Sequence, residues 1–198
     1  MIVIIAIGIV LVIILIFILV YNRIVTLSRR CDQAFADIDV QLQRIAELLP
    51  NLINILKGSA NFEKSTLEKI ARAHVELVEA LKGDTSQKVK GANKFFGVFY
   101  PLVYQLPQYP QLQSIQGFQQ VMNEIKVSID KIAYARQFYN QAVNDYNTFI
   151  ESFPGVLLAG IMGKKAREYL KLGEEERREI QTSLRSGELT KGIEDLGK

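Results

Sequence analysis

The chain has 198 residues, with 24 basic and 21 acidic side chains and a formal net charge of +3. A charge this small does not make nucleic acid an expected partner. One cysteine and one histidine exclude an internal disulfide and a zinc site built from these two residue types.

The chain opens with an apolar run. Residues 2–20 are seventeen Ile, Leu, Val or Phe side chains with one Ala and one Gly. As a helix, the run spans about 30 Å, the hydrocarbon thickness of a bilayer, and its insertion is favoured by roughly 5–10 kcal/mol. We predict an uncleaved transmembrane anchor over residues 1–22, with Tyr21 and Arg23 at the membrane interface. A cleaved signal peptide is the alternative, but the run is too long and lacks a basic start and a small-residue exit.

The charges that flank this run predict its orientation. Arg23, Arg29 and Arg30 follow the run, and no Lys or Arg precedes it. Positive residues concentrate on the cytoplasmic side of a span. The sequence therefore predicts a single-pass protein of the inner cell membrane with its remaining residues in the cytoplasm.

After the run, apolar residues recur at helical spacing. The first stripe alternates four- and three-residue steps through Cys31, Phe35, Ile38, Leu42, Ile45, Leu49, Leu52 and Leu56. Extended backwards it reaches Ile24, so the anchor is expected to continue into this helix without a linker. Pro50 lies within the stripe, which stays in phase on both sides, so a kink is expected rather than an end.

Three further helical stripes follow. They cover residues 67–81, an aromatic-rich segment 86–106 that is expected to bend at Pro101, and residues 118–153. Helices with short connections bury their apolar faces against each other, and no strand pattern competes. We predict an all-α fold, in which the transmembrane helix continues into an up-down-up-down four-helix bundle over residues 23–154.

Residues 155–167 combine an apolar stretch with cations. In the predicted topology the fourth helix returns to the level of the membrane, so this segment is expected to lie at the membrane surface. The predicted interface residues are Leu157, Leu158, Ile161, Met162, Lys164 and Lys165. A loop folded over the end of the bundle is the alternative. Residues 168–198 are predicted to form a charged tail.

A polar stripe marks the fourth helix at three- and four-residue steps: Arg136, Asn140, Asn144, Asn147 and Glu151. We interpret it as a hydrogen-bonded seam that sets helix register. A ligand groove is the alternative, and an exposed stripe would instead be a partner surface. His74 and Cys31 lie on apolar stripes and are interpreted as core or boundary residues, since no nucleophile or orienting carboxylate accompanies the histidine.

Several motifs resemble the LemA family of bacterial membrane-anchored helical proteins, and the likeness covers residues 21–165. They are Tyr21-Asn22, Leu49-Pro50-Asn51, Tyr109-Pro110 and, above all, the segment 132–147 with its Tyr-Asn pairs one heptad apart and its Phe153-Pro154 stop. The resemblance implies an N-terminal transmembrane helix, a four-helix bundle and no assigned enzymatic activity. By analogy with a relative that takes part in building the magnetosome membrane, it also implies a membrane-organising role.

The sequence therefore predicts a membrane-anchored, non-enzymatic scaffold without catalytic residues, metal or cofactor. The expected partners are the lipid bilayer, further copies of the chain and other membrane proteins, but not nucleic acid. Two alternatives stay open: a ligand-sensing helical bundle, which requires a cavity lined by Arg136 or the Tyr-Asn pairs, and a membrane-anchored hydrolase, which requires a cleft with a perturbed titratable group.

Overall fold

The structure is a computed structural model that describes residues 1–59, 62–106, 109, 112, 114–115 and 117–171. These residues form helices and connections without a strand, which confirms the predicted all-α fold. The helices are α1 (Ile2–Gly58), α2 (Lys64–Leu81), α3 (Thr85–Gln105), α4 (Phe118–Glu151) and α5 (Gly155–Ile161). Of the predicted tail, residues 172–198 lie outside the described part.

Helix α1 joins the apolar run to the first stripe without a break, as predicted. Its N-terminal part is long and apolar enough to cross a membrane, and none of the apolar window is buried in the structure. Burial begins at Val20, and all eight predicted stripe positions lie in the core. Pro50 is exposed and does not end the helix. The same helix is thus apolar on all sides at its start and amphipathic further on.

The chain divides into two compact units. Unit 1 contains Met1–Gln41 and Lys131–Tyr169. Unit 2 contains Leu42–Asp130 and, among the described residues that follow, Leu170 and Lys171. Helices α1 and α4 contribute residues to both.

Unit 2 is a four-helix bundle of α2, α3, residues 42–58 of α1 and residues 118–130 of α4. The Nε2–H of His74 donates to the Ala46 carbonyl oxygen at 3.0 Å and so joins α2 to α1. Arg44 pairs with Glu124 at 3.2 Å and joins α1 to α4. His74, which was predicted to be a core or boundary residue, is half-buried and has a backbone hydrogen-bond partner. The core of unit 2 includes four aromatic residues of α3: Phe95, Phe96, Phe99 and Tyr100.

Unit 1 pairs the remaining parts of α1 and α4. The rings of Phe35 and Tyr139 meet edge to face at a centroid distance of 5.4 Å. The buried positions of α4 shift along its length, ending at Tyr146, Asn147 and Ile150. Phe153, the last position of the predicted stripe, is instead 80% exposed. Phe153 lies beyond Glu151, the last residue of α4, so it does not continue the buried face of this helix.

Candidate functional site at the end of the fourth helix

The end of α4 leads directly into a short helix within unit 1. Helix α4 ends at Glu151, and α5 begins four residues later at Gly155, after a cis Phe153–Pro154 peptide bond. Gly155 packs so closely on the carbonyl oxygen of Phe149 that a Cβ at this position would collide with it. Only a residue without a side chain fits this approach. Helix α4 thus ends shortly before the predicted Phe153-Pro154 stop.

A glycine also closes α5. Gly163 has a φ of +61°, a left-handed conformation that glycine adopts readily. The amide of Lys164 donates to the Ala159 carbonyl at 2.9 Å, and that of Gly163 donates to Gly160 at 3.2 Å. This pair of bonds is a Schellman motif, which satisfies the last carbonyls of a helix and reverses the chain. The side chains of Lys164 and Lys165 are exposed beyond it.

Residues 164–169, the C-terminal strap, then run back along α4. Asn147 holds both backbone polar groups of Arg167: its Nδ2 donates to the carbonyl at 3.0 Å and its Oδ1 accepts from the amide at 2.8 Å. The Tyr139 hydroxyl donates to the Glu168 carbonyl at 3.0 Å, and the Tyr146 hydroxyl to that of Lys165 at 3.4 Å. The strap belongs to no helix or sheet, so these side chains supply hydrogen bonds that regular structure would otherwise provide.

The side chain of Arg167 joins the strap to α1. It bonds both carboxylate oxygens of Asp32, at 2.6 and 3.3 Å, and the Ser28 hydroxyl at 2.9 Å. Its guanidinium also lies 5.5 Å from the centroid of the Tyr146 ring. Burial disfavours its charge, but the hydrogen bond and the charge of Asp32 outweigh that effect and raise the pKa of Arg167.

Burial governs the remaining titratable groups beside this arginine. It raises the pKa of the Cys31 thiol, and the positive charge of Arg167 opposes that effect only in part. It likewise raises the pKa values of Tyr139 and Tyr146. A thiol with a raised pKa is a poor nucleophile at neutral pH.

The residues of the predicted polar stripe differ in burial and in hydrogen-bond partners. Asn147 is buried against the strap, whereas Asn144 is exposed and accepts a 3.5 Å bond from the Tyr169 hydroxyl. Arg136 and Asn140 are partly exposed, and Glu151 is exposed. The buried member of the stripe thus binds an extended segment. Sequence reasoning did not find the role of Arg167, although the Tyr-Asn repeat indicated the face of α4 to which the strap binds.

The residues predicted at the membrane interface fall into an exposed and a buried group. Tyr21 and Arg23 are exposed at the end of the apolar run. On α5 and after it, the exposed members are Leu157, Ile161, Lys164 and Lys165, and Met162 is partly exposed. Leu158 is only 7% exposed and packs inside unit 1. One side of α5 therefore packs inward, and the other side is open.

In unit 2, an open groove of about 800 Å³ lies between α2 and α3. Charges of both signs line it, including Glu68, Arg72 and Lys94. No group of three or more His, Cys, Asp or Glu residues in the described part of the chain could hold a metal ion. All residues that line this groove belong to α2 and α3. It is therefore not a cavity lined by Arg136 or by the Tyr-Asn pairs, which the sensing hypothesis requires.

Comparison with known proteins gives a family model and several relatives. The model described as the LemA family matches residues 34–183. Magnetosome proteins MamQ 1 and MamQ 2 of Paramagnetospirillum magneticum are each 28% identical over 173 residues, 75% of this chain and 64% of theirs. Protein LemA of Metamycoplasma hominis is 25% identical over 132 residues, 67% of this chain and 60% of its own. The chain thus spans less than two thirds of the length of these curated relatives.

Proposed function

This chain belongs to the LemA family, and we propose that it is a non-enzymatic scaffold tethered to the bacterial inner membrane by its first helix. Neither the family description nor the names of the relatives mention an enzymatic activity. Two relatives are magnetosome proteins by name, which supports a role in organising a membrane. The folded units recruit further copies of the chain and other membrane proteins to the membrane surface.

The unbroken helix α1 carries this proposal. Its side chains from Ile2 to Leu19 are exposed on every side, whereas Val20 and the apolar stripe that follows it pack into the core. A fully exposed apolar helix of this length is stable in hydrocarbon and unstable in water. Because no flexible linker separates the two parts, the span positions the folded part at a fixed depth.

The folded units face the cytoplasm in this proposal, since Arg23, Arg29 and Arg30 follow the span. A cysteine introduced at the exposed Glu47 tests the orientation with a membrane-impermeant maleimide. In spheroplasts, Glu47→Cys is expected to react only after the membrane is permeabilised. The unmodified chain is the control, since its one cysteine, Cys31, is buried. Labelling of Glu47→Cys in intact spheroplasts would place the units on the opposite side.

An exposed aromatic pair on α4 supports self-association. Tyr134 and Phe138 are 67% and 57% exposed, and their rings meet at a centroid distance of 5.3 Å. Aromatic side chains are enriched in protein interfaces. Confinement to a membrane raises the effective concentration of one copy for another, so a modest surface is sufficient for association.

Cross-linking in native membranes tests this surface. The unmodified chain is expected to give multiples of 22.4 kDa. The double variant Tyr134→Ser with Phe138→Ser is expected to give mainly the monomer. Val75→Ser removes an equally exposed apolar side chain from α2 and should leave the cross-linked species unchanged. A strictly monomeric unmodified chain would refute self-association.

A further inference from the structure

One side of α5 is an exposed apolar face although its other side is packed. Leu158 and Ala159 are buried, while their neighbours point outward. The exposed side chains and their exposed fractions are Phe153 at 80%, Val156 at 45%, Leu157 at 59% and Ile161 at 78%. Contiguous exposed apolar side chains on a small domain indicate a surface that contacts a partner or a membrane.

The pairing of α1 with α4 shows which residues of α1 lie beside the end of α4, from which α5 continues. Phe35 contacts Tyr139, and Arg167 connects Ser28 and Asp32 to the Tyr146 ring, so the two helices are antiparallel.

Along α4, the last residue Glu151 lies twelve positions beyond Tyr139. Twelve positions back from Phe35 along α1 is Arg23, the first charged residue after the apolar run. Because both helices rise by the same amount per residue, α4 ends level with the start of the membrane span. Helix α5 begins four residues after this point, so we place its exposed face near the level at which the anchor enters the hydrocarbon.

Burial at the end of the apolar run agrees with this register. Val20 is only 7% exposed, whereas the side chains before it are exposed. Val20 lies three residues further into the run than Arg23, which is level with the last residue of α4. The end of α4 and the start of α5 thus lie beside the last turn of the apolar run.

Charge defines the kind of surface that this face fits. Lys164 and Lys165 are exposed immediately after the Schellman turn of α5. Apolar side chains followed by cations are typical of segments that lie in the interface of an anionic bilayer. The strap, held by Asn147 and by the Asp32–Arg167 pair, fixes α5 to the rest of unit 1.

We propose that the exposed face of α5, with Phe153, is a second membrane contact that inserts into the headgroup region of an anionic bilayer. The inference rests on the proposed anchor and deepens it: the span tethers the chain, and α5 fixes how unit 1 sits on the lipid surface. Lys164 and Lys165 bind lipid phosphate groups, and Phe153, Leu157 and Ile161 reach the upper acyl chains.

Single-tryptophan variants of the full chain test this contact, since the natural sequence has no Trp. Ile161→Trp is reconstituted in phosphatidylcholine–phosphatidylglycerol vesicles with and without brominated acyl chains. Brominated lipid is expected to quench its emission by about half or more, as a side chain in the upper acyl region requires. Gln137→Trp is the matched control: this exposed position lies fourteen residues before Glu151, about 21 Å along α4. The emission of the control should be the same in vesicles with and without brominated acyl chains.

The cations give a second readout. In the Ile161→Trp background, Lys164→Gln with Lys165→Gln is expected to reduce quenching in anionic vesicles and to have no effect in pure phosphatidylcholine. Equal helical circular dichroism of all variants shows that they are folded.

Two results would overturn the second contact. Unquenched, water-like emission from Ile161→Trp in a chain that resists carbonate extraction would refute the α5 contact while leaving the anchor intact. Unquenched emission that shifts to the blue as protein density rises would assign the face to a second copy of the chain. A chain that leaves the vesicles in carbonate would instead refute the anchor and, with it, the inference that depends on it.

Discussion

At the scale of single residues, Asn147 connects α4 to the strap. Asparagine matches a backbone amide and carbonyl at the same time, since its side chain carries one donor group and one acceptor. It bonds both groups of Arg167 and is itself buried. Removing its amide would leave two partly buried backbone groups without partners. The free-energy cost of such unsatisfied groups is larger than the net stabilisation that the two hydrogen bonds provide.

Truncation of this side chain should therefore be costly. Asn147→Ala is expected to lower the free energy of unfolding by about 1–3 kcal/mol. Asn144→Ala, at an exposed position with one long bond, should change it by less than about 0.5 kcal/mol. Urea unfolding in mild detergent, followed by circular dichroism, measures both, and amide exchange at Arg167 should accelerate only in Asn147→Ala. Equal effects of the two substitutions would contradict the role of Asn147.

Tyr139 makes the stability of unit 1 depend on alkaline pH. Burial raises its pKa above the ordinary value of about 10. The native state then holds the phenolic proton more tightly than the unfolded chain, so this contribution is complete below about pH 10 and is lost as the pH rises further. The hydroxyl also donates to the strap, so its ionisation removes a hydrogen bond.

Tyr139→Phe should accordingly flatten the alkaline loss of stability. At neutral pH it is expected to cost about 1 kcal/mol, the value of one hydrogen bond. Above about pH 10 its thermal midpoint should fall less steeply than that of the unmodified chain. Tyr134→Phe, at an exposed position, should keep the original slope. Parallel curves for the unmodified chain and Tyr139→Phe would show that Tyr139 is not responsible.

At the scale of the elements, apolar spacing predicts helices well and their exact faces less well. The eight stripe positions of α1 from Cys31 to Leu56 are all buried as predicted. The fourth stripe is correct from Phe118 to Ile132 and again at Tyr139 and Tyr146. The buried face also rotates toward Val143 and Ile150, and Phe153, beyond the end of α4, is exposed. A fixed heptad count ignores that rotation, and the error grows with the length of the helix.

The strap shows what spacing does not encode. Its bonds join side chains of α4 to the backbone of an extended segment, and backbone groups are the same in every residue. The sequence indicated that the Tyr-Asn face of α4 has a role, but not that Arg167 lies against it. For the same reason, the single apolar run 155–162 could not be divided into its buried and exposed sides before the direction of α5 was known.

A close approach between α2 and α3 gives the prediction at this scale. A Cβ on Gly91 would collide with the side chain of Ala80, whereas one on Gly97 would meet nothing within 4 Å. Gly91→Ala is therefore expected to destabilise the protein by about 1–3 kcal/mol through overpacking. Gly97→Ala should stabilise it by up to about 1 kcal/mol, since alanine favours the helix. Thermal unfolding by circular dichroism compares the two, and a stabilising Gly91→Ala would contradict the close approach.

At the scale of the whole molecule, one helix carries both the apolar run that we propose as the membrane anchor and core residues of the two folded units. The run 2–20 favours insertion by roughly 5–10 kcal/mol, which is comparable to the stability of a typical small domain. Helix α1 contributes core residues to both units. If the run is the anchor, its removal is expected to release the chain from the membrane and to leave the apolar stripe of its core in place.

The most direct test is the intact mass of the chain in carbonate-washed membranes of bacteria that produce it. An uncleaved transmembrane helix predicts that the full 22.4 kDa chain, still carrying residues 1–20, stays in the membrane pellet. A shortened chain in the soluble fraction would show that the apolar run is a removed signal sequence. A full-length chain in the carbonate supernatant would show that it does not span the bilayer.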